Sequence, residues 1–207
     1  MNNAPTIFLG VFLVFAGAWL GLVVAPYAQL GGLQAVTPPD GGDSYPKPLG
    51  GLAAKGRLVY QANGCLYCHS QQIRSERFGT DIARGWGPRR TVARDYIYDS
   101  PHLLGSMRTG PDLTNIGARQ PSASWHHRHL FNPRWTSPGS IMAHFSFLYE
   151  TRKIVGQKSY EALSVPKDYP LPPGYEIVPT DDAKALVAYL QALDHTTPLP
   201  EAEESLP

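Results

Sequence analysis

The residues of this chain whose types and spacing suggest chemistry are Cys65-Leu66-Tyr67-Cys68-His69, a C-x-x-C-H motif. Two thiols three residues apart lie on one turn, so both can add to vinyl groups of one porphyrin, and the adjoining imidazole can reach its iron. A metal site or a redox dithiol is the alternative, but zinc would need a second ligand pair and a dithiol has no use for the histidine. The motif therefore predicts one covalent heme c, attached at Cys65 and Cys68 and ligated by His69.

A second axial ligand has to come from the remaining methionines and histidines. We favour Met142, which lies far beyond the motif in SPGSIMAHFSFL, because a segment entered by Pro and Gly suits a loop that returns over a porphyrin. Met107, in GSMRTGPDL, is the other methionine candidate, although its neighbours are expected to pack on the proximal side. The histidine alternatives are His126, His127, His129 and His144.

Composition and charge exclude two function classes. The 207 residues carry 18 basic and 17 acidic side chains, a net charge of +1, without a clustered basic tract. A nucleic-acid-binding protein needs such a cationic face to displace counterions from phosphates. Two neighbouring cysteines cannot form a disulfide scaffold for a chain of this length. The length instead fits one domain of ordinary size and about 60 further residues.

Those further residues lie at the start of the chain, where no charged side chain precedes Asp40. Residues 7–28 read IFLGVFLVFAGAWLGLVVAPYA, and a helix of this length spans the ~30 Å hydrocarbon core of a bilayer. A cleaved signal peptide and a buried helix of a soluble protein are the alternatives, but the apolar run exceeds that of a signal peptide. We therefore expect a transmembrane anchor at 1–30, a Gly/Pro-rich linker at 31–51 and one domain at 52–207.

Two helices are predicted near the ends of this domain. Residues 52–63, LAAKGRLVYQAN, contain helix formers and are followed by Gly64 as a stop signal. Near the other end, Asp181 and Asp182 are expected to cap a helix over AKALVAYLQAL. The apolar face of this second helix consists of Leu186, Tyr189, Leu190 and Leu193.

Around a C-x-x-C-H motif, these helices resemble the first and last helices of the class I cytochrome c fold, which cross beside the heme. In that family a small residue of the first helix lets an aromatic residue of the last helix approach closely. Gly56 and Tyr189 match these two positions. The resemblance implies an all-α fold, here with one N-terminal transmembrane helix and long loop insertions.

Four stretches in order narrow the resemblance further. They are GCLYCHSQQIR at 64–74, YDSPHLLGSMRTGPDLTNIG at 98–117, WHHRHLFNPR at 125–134 and SPGSIMAHFSFL at 137–148. Together they resemble the membrane-anchored mono-heme subunit, subunit II, of cbb3-type (C-family) heme-copper oxidases. The SQQIR run directly after the motif histidine is the most specific part. Residues 151–180 are longer and richer in proline than the family pattern.

The resemblance implies roles for seven residues. It implies that Cys65 and Cys68 attach the heme and that His69 and Met142 ligate the iron. The Pro111 carbonyl would accept a hydrogen bond from the proximal imidazole. Arg74 and Arg108 would contact the heme propionates or a partner subunit. Arg74 also opens a loose run of arginines that extends to Arg94 and is either a solvated face or a docking surface.

The predicted function is electron relay to the catalytic subunit of a membrane-bound heme-copper oxidase that reduces oxygen to water. Other cytochrome c subunits and a soluble cytochrome donor are the further expected partners. The chain itself is expected to be non-catalytic, because protein ligands fill both axial positions of the iron. The alternatives are an electron-feeding subunit of a nitric oxide reductase-like complex, a freestanding membrane-anchored cytochrome, and a peroxidase-like enzyme with an open iron site. Since heme c is attached outside an energy-conserving membrane, we expect a bacterial inner-membrane protein with a periplasmic heme domain.

Overall fold

The computed structural model describes residues 3–37 and 41–203. Its first element is an apolar rod of 27 residues, in which α1 (Ala4–Trp19), a π-helical turn (Leu20–Val24) and α2 (Ala25–Leu30) follow without a break. Pro26 has no N–H and its ring crowds the helix before it, so the helix widens there and the Ala25 N–H donates to the Leu20 carbonyl. The rod has a mean hydropathy of 2.6 and is long enough to cross a bilayer, as expected of a single anchor.

The heme-motif domain is organised by two crossing helices, α3 (Gly51–Ala62) and α6 (Asp181–Ala192). At the crossing, a Cβ on Gly56 would lie 2.8 Å from the Cβ of Tyr189, so only glycine allows this approach. The rings of Tyr60 and Tyr189 meet edge to face with centroids 5.3 Å apart. The two predicted helices and their predicted contact are therefore confirmed.

The ends of these helices follow local rules, with one difference from expectation. Gly64, at φ 67°, takes the left-handed conformation that stops the chain after α3. At the start of α6 the capping residue is Thr180, whose Oγ1 accepts the Ala183 N–H at 3.3 Å. Asp181 and Asp182 occupy the first turn instead, where their charges still favour the helix dipole.

The middle of the domain holds short elements between long loops. They are α4 (Ile116–Arg119), α5 (Ala123–Phe131) and an antiparallel pair of strands, β1 (Tyr149–Lys153) and β2 (Tyr175–Pro179), with Thr151 opposite Ile177. Single 3₁₀ turns cover Cys65–Tyr67, Ala93–Tyr96, Pro133–Trp135, Ser146–Leu148 and Pro200–Ala202. Ile177 and Val178 of β2 are both buried, and Ile177 belongs to the main core. The all-α prediction is thus confirmed only in part, because a small sheet lies within the predicted loop insertion.

Part of the predicted linker lies on the domain. Val36 pairs with Tyr45 through two backbone bonds of 2.8 Å, and Tyr45 is buried beneath Leu199 and Ala202. The Tyr45 hydroxyl donates to the Asp95 carboxylate at 2.6 Å. The domain boundaries at 30 and 51 stay a prediction.

Candidate heme site

The motif cysteines lie on a single turn directly after α3. The Cys68 and His69 N–H groups both donate to the Cys65 carbonyl, at 3.2 and 3.0 Å, which closes the turn. Both cysteines are free thiols, Cys65 half-buried against the core and Cys68 exposed. Burial raises the pKa of the Cys65 thiol to about 11, so it is protonated at neutral pH. The turn therefore presents two sulfur atoms beside one imidazole.

The His69 imidazole is fixed through one of its nitrogens. Its Nδ1 lies 2.7 Å from the Pro111 carbonyl oxygen. A carbonyl only accepts, so Nδ1 carries the hydrogen and Nε2 keeps its lone pair. Burial lowers the pKa of His69, against the opposing effects of the Pro111 carbonyl and the Asp112 charge. A neutral ring with a free Nε2 is the form that binds iron.

Two glycines let the loop before Pro111 close on the motif. The three atoms nearest to a Cβ on Gly110 would all belong to the His69 ring, with Nδ1 at 2.7 Å and Nε2 at 2.8 Å. A Cβ on Gly105, at φ 70°, would lie 2.6 Å from the His69 carbonyl oxygen. Any side chain larger than a hydrogen atom is thus excluded at Gly105 and Gly110, where the loop contacts the motif. This support, together with the two free thiols, fits a covalent heme whose proximal ligand is His69.

Met142, the predicted second ligand, belongs to a different part of the domain. Its segment follows α5, and the Phe145 N–H donates to the Leu130 carbonyl at 2.9 Å. The Met142 side chain is half-buried and packs against the main core. Met107 is 56% exposed, in the loop whose Leu104 carbonyl accepts the Gln71 N–H beside the motif. Met142 as iron ligand stays a prediction.

The four candidate histidines each have a protein partner on one ring nitrogen. The partners are the Gln120 carbonyl for His126 Nε2, the Tyr149 hydroxyl for His127 Nδ1, the Thr136 hydroxyl for His129 Nδ1 and the Arg134 guanidinium for His144 Nε2. His129 also stacks on Trp125, with ring centroids 4.7 Å apart. Burial lowers the pKa of both His127 and His129 to about 4. The rings of His126, His127 and His129 are thus held by packing and hydrogen bonds, as in an ordinary core, whereas His144 is exposed and bonds to Arg134 at the surface.

Arg74 and Arg108 converge on a residue that the sequence did not single out. Asp81 is fully buried, and its Oδ1 lies 3.0 Å from Arg74 and 2.6 Å from Arg108. Burial alone would raise the pKa of Asp81, but hydrogen bonds from both guanidinium groups lower it to about 2. Both arginines therefore have an internal partner, and a contact with propionates or a partner subunit stays a prediction.

The sequence also did not indicate the second buried carboxylate, Asp112. It is fully buried and accepts a hydrogen bond of 2.6 Å from Ser70 Oγ. Aspartate is seldom buried unless it is paired, so composition gives no reason to expect it inside. Adjacency in the sequence could have indicated these two residues, since Asp112 directly follows Pro111 and Ser70 directly follows His69.

Comparison with known proteins agrees with this geometry. No curated protein matches the chain. A model of the family described as cytochrome c oxidase, mono-heme subunit/FixO, matches residues 42–172, which include the cysteine motif, the Pro111 loop and the Met142 segment. This confirms the resemblance to subunit II of cbb3-type oxidases, a membrane-anchored subunit in electron transfer that carries a heme and associates with a heme-copper oxidase complex. The chain belongs to the FixO family of mono-heme cytochrome c oxidase subunits.

Proposed function

We propose that this chain carries one heme c, bound covalently through Cys65 and Cys68, and relays electrons to the catalytic subunit of an oxygen-reducing heme-copper oxidase. His69 and Met142 are the proposed axial ligands. The supporting observation is the His69 ring, which follows the two thiols directly and is held by Pro111 so that Nε2 is free. When bound, the heme supplies reversible one-electron chemistry.

The residues of the chain account for a relay rather than a catalyst. His69 offers a neutral imidazole in a fixed tautomer, and Met142 would supply the second protein ligand to the iron of a bound heme. Two protein ligands would leave oxygen no place to bind the iron. A His/Met pair also raises the reduction potential toward values that suit delivery to a terminal acceptor.

The same chemistry orients the protein. Covalent heme attachment takes place outside the energy-conserving membrane, so the domain lies in the periplasm and the start of α1 faces the cytoplasm of a bacterial cell. The proposed partners are the catalytic subunit, further cytochrome c subunits and a soluble cytochrome donor. Detergent extraction tests the assembly, because comigration with a multi-heme oxidase is expected and migration alone would contradict it.

Absorption spectroscopy of the full chain tests the ligands. The reduced protein is expected to be low-spin and unchanged by carbon monoxide, and its heme should stay attached in a denaturing gel. Met142→Ala should open the sixth position and let carbon monoxide bind, whereas Met107→Ala, at an exposed methionine, should leave the spectrum unchanged.

Three results would contradict the proposal. They are carbon monoxide binding by the unaltered chain, loss of the heme from the polypeptide on denaturation, and an unchanged spectrum after Met142→Ala. Cys65→Ala and Cys68→Ala should each leave heme joined by a single thioether or lost, which checks the attachment independently.

A further inference from the structure

Asp112 is a completely buried carboxylate, one residue beyond the carbonyl that accepts the hydrogen bond from His69. Its Oδ2 accepts hydrogen bonds from Ser70 Oγ at 2.6 Å and from the Gln72 N–H at 2.8 Å. Its Oδ1 accepts the Thr114 N–H at 2.8 Å. One side chain thus ties the segment that follows the motif to the loop that supports the imidazole.

Backbone hydrogen bonds join the same two segments on either side of the imidazole bond. The Gly110 N–H donates to the Cys68 carbonyl and the Leu113 N–H donates to the Ser70 carbonyl, each at 2.9 Å. Proline has no N–H to add a rung between them, and among the described residues no backbone N–H donates to the Pro111 carbonyl. The Asp112 carboxylate, attached to the next residue, supplies the missing constraint.

Arg108 sets the direction of the bond between Ser70 and Asp112. Its Nε donates to Ser70 Oγ at 2.8 Å. Arginine has only donors, so Ser70 accepts from it and gives its single hydrogen to Asp112. Arg108 also pairs with Asp81 at 2.6 Å and lies 3.8 Å from Asp112. Both Asp112 oxygens thus act as acceptors in the hydrogen bonds that the structure describes, as those of a carboxylate do.

We infer that Asp112 is a positioning residue: its buried carboxylate holds the Pro111 carbonyl against His69 Nδ1 and thereby sets the reduction potential of the heme. The inference rests on the proposed function, in which His69 ligates the iron. A well-aligned carbonyl makes the imidazole a more basic ligand, and a fixed negative charge nearby favours the oxidised iron. Both effects lower the potential, so removal of the carboxylate charge should raise it.

Asp112→Asn tests the inference, in the full chain loaded with heme in detergent. A redox titration should show a rise in midpoint potential equivalent to about a tenfold larger ferrous-to-ferric ratio, which is 59 mV for one electron. The NMR resonance of the His69 Nδ1–H should move in the direction of a weaker hydrogen bond. Ser70→Ala keeps the charge but removes one bond to it, so it should give a smaller shift of the same sign.

Asp95→Asn is the matched control. Asp95 is also buried, and it accepts hydrogen bonds from the Tyr45 hydroxyl at 2.6 Å and the Val92 N–H at 2.8 Å and pairs with Arg89 at 2.8 Å. Its loss should lower the thermal stability without moving the potential or the His69 resonance.

The possible outcomes separate this inference from the proposed function. Normal heme content with an unmoved potential and resonance in Asp112→Asn would overturn the role of Asp112 alone, as would an equal shift in Asp95→Asn. If Asp112→Asn does not fold, an unchanged midpoint potential in Ser70→Ala would likewise overturn the role of Asp112. An unaltered chain that takes up no heme would overturn the proposed function instead.

Discussion

At the scale of single residues, charge around the candidate site is balanced inside the protein. Arg74 and Arg108 reach the buried Asp81, and Arg89 makes two hydrogen bonds to the buried Asp95. A buried carboxylate without such partners would be costly and would take up a proton. Arg94 also pairs with Glu201, so at least three of the six arginines between 74 and 94 have carboxylate partners within the chain.

Gly110 gives the sharpest residue-level prediction. A methyl group there would overlap the His69 ring, so Gly110→Ala should displace the imidazole and reduce the heme bound per polypeptide severalfold. Heme content is measured from the absorption of the denatured protein relative to its total mass. Gly50→Ala is the control, because a Cβ at Gly50 meets nothing within 4 Å. Equal heme content in the two variants would show that this loop does not confine the ring.

At the scale of elements, the crossing of α3 and α6 holds the domain together. A Cβ on Gly56 would lie 2.4 Å or less from the backbone of Ala185, and a main-chain group cannot rotate away as a side chain can. Leu186 and Tyr189 are fully buried on the same face of α6. The separation of the two helices is thus set by a single missing methyl group.

Gly56→Ala separates packing from helix propensity. Alanine inside an exposed helix is favoured over glycine by about 1 kcal/mol, so propensity alone would stabilise the variant. We expect the opposite, a loss of roughly 1–3 kcal/mol or more from overpacking at the crossing. The free energy of unfolding in urea measures it. A variant as stable as the parent, or more stable, would mean that the helices can separate at little cost.

The sequence predicts these two helices but not the hairpin. Spacing of apolar residues and the Asn63-Gly64 stop indicate α3 and α6, because those signals are local. The strands β1 and β2 have five residues each and are separated by a long proline-rich loop, so neither a tight turn nor extended alternation marks them. Ile177 pairs with Thr151 and packs into the core only because the long loop between the strands brings the two segments together. The buried carboxylates escaped prediction for the same reason, since their partners come from distant segments.

At the scale of the whole molecule, the tether is short. The apolar rod ends at Leu30, and by Gln34 the chain already contacts the domain, where the Gln34 carbonyl accepts a hydrogen bond from Arg94. Val36 and Tyr45 then pair, and burial raises the pKa of the Tyr45 phenol, so its hydroxyl stays a donor to Asp95. The domain is thereby joined to the end of the apolar rod by only a few residues of chain.

The stability of the whole domain should depend on pH through buried histidines, and His127 offers the clearest case. Burial lowers the pKa of His127 to about 4, and the charges of His126, Glu161 and Lys184 contribute less. In the unfolded chain the pKa of histidine is about 6.5, so between these values the unfolded state binds a proton that the folded state does not. The contribution of His127 to the free energy of unfolding should therefore be complete above about pH 6.5 and decrease as the pH drops toward 4.

Urea unfolding of the full chain at pH 7, 5.5 and 4 measures this contribution, which is on the order of 3 kcal/mol for a shift of this size. His127→Gln can keep a bond to the Tyr149 hydroxyl but cannot titrate, so its loss of stability between pH 7 and 4 should be smaller than that of the parent by about this amount. His102→Gln, at an exposed histidine, should follow the parent curve. Parallel curves for His127→Gln and the parent would show that another buried group, and not this imidazole, makes the fold sensitive to acid.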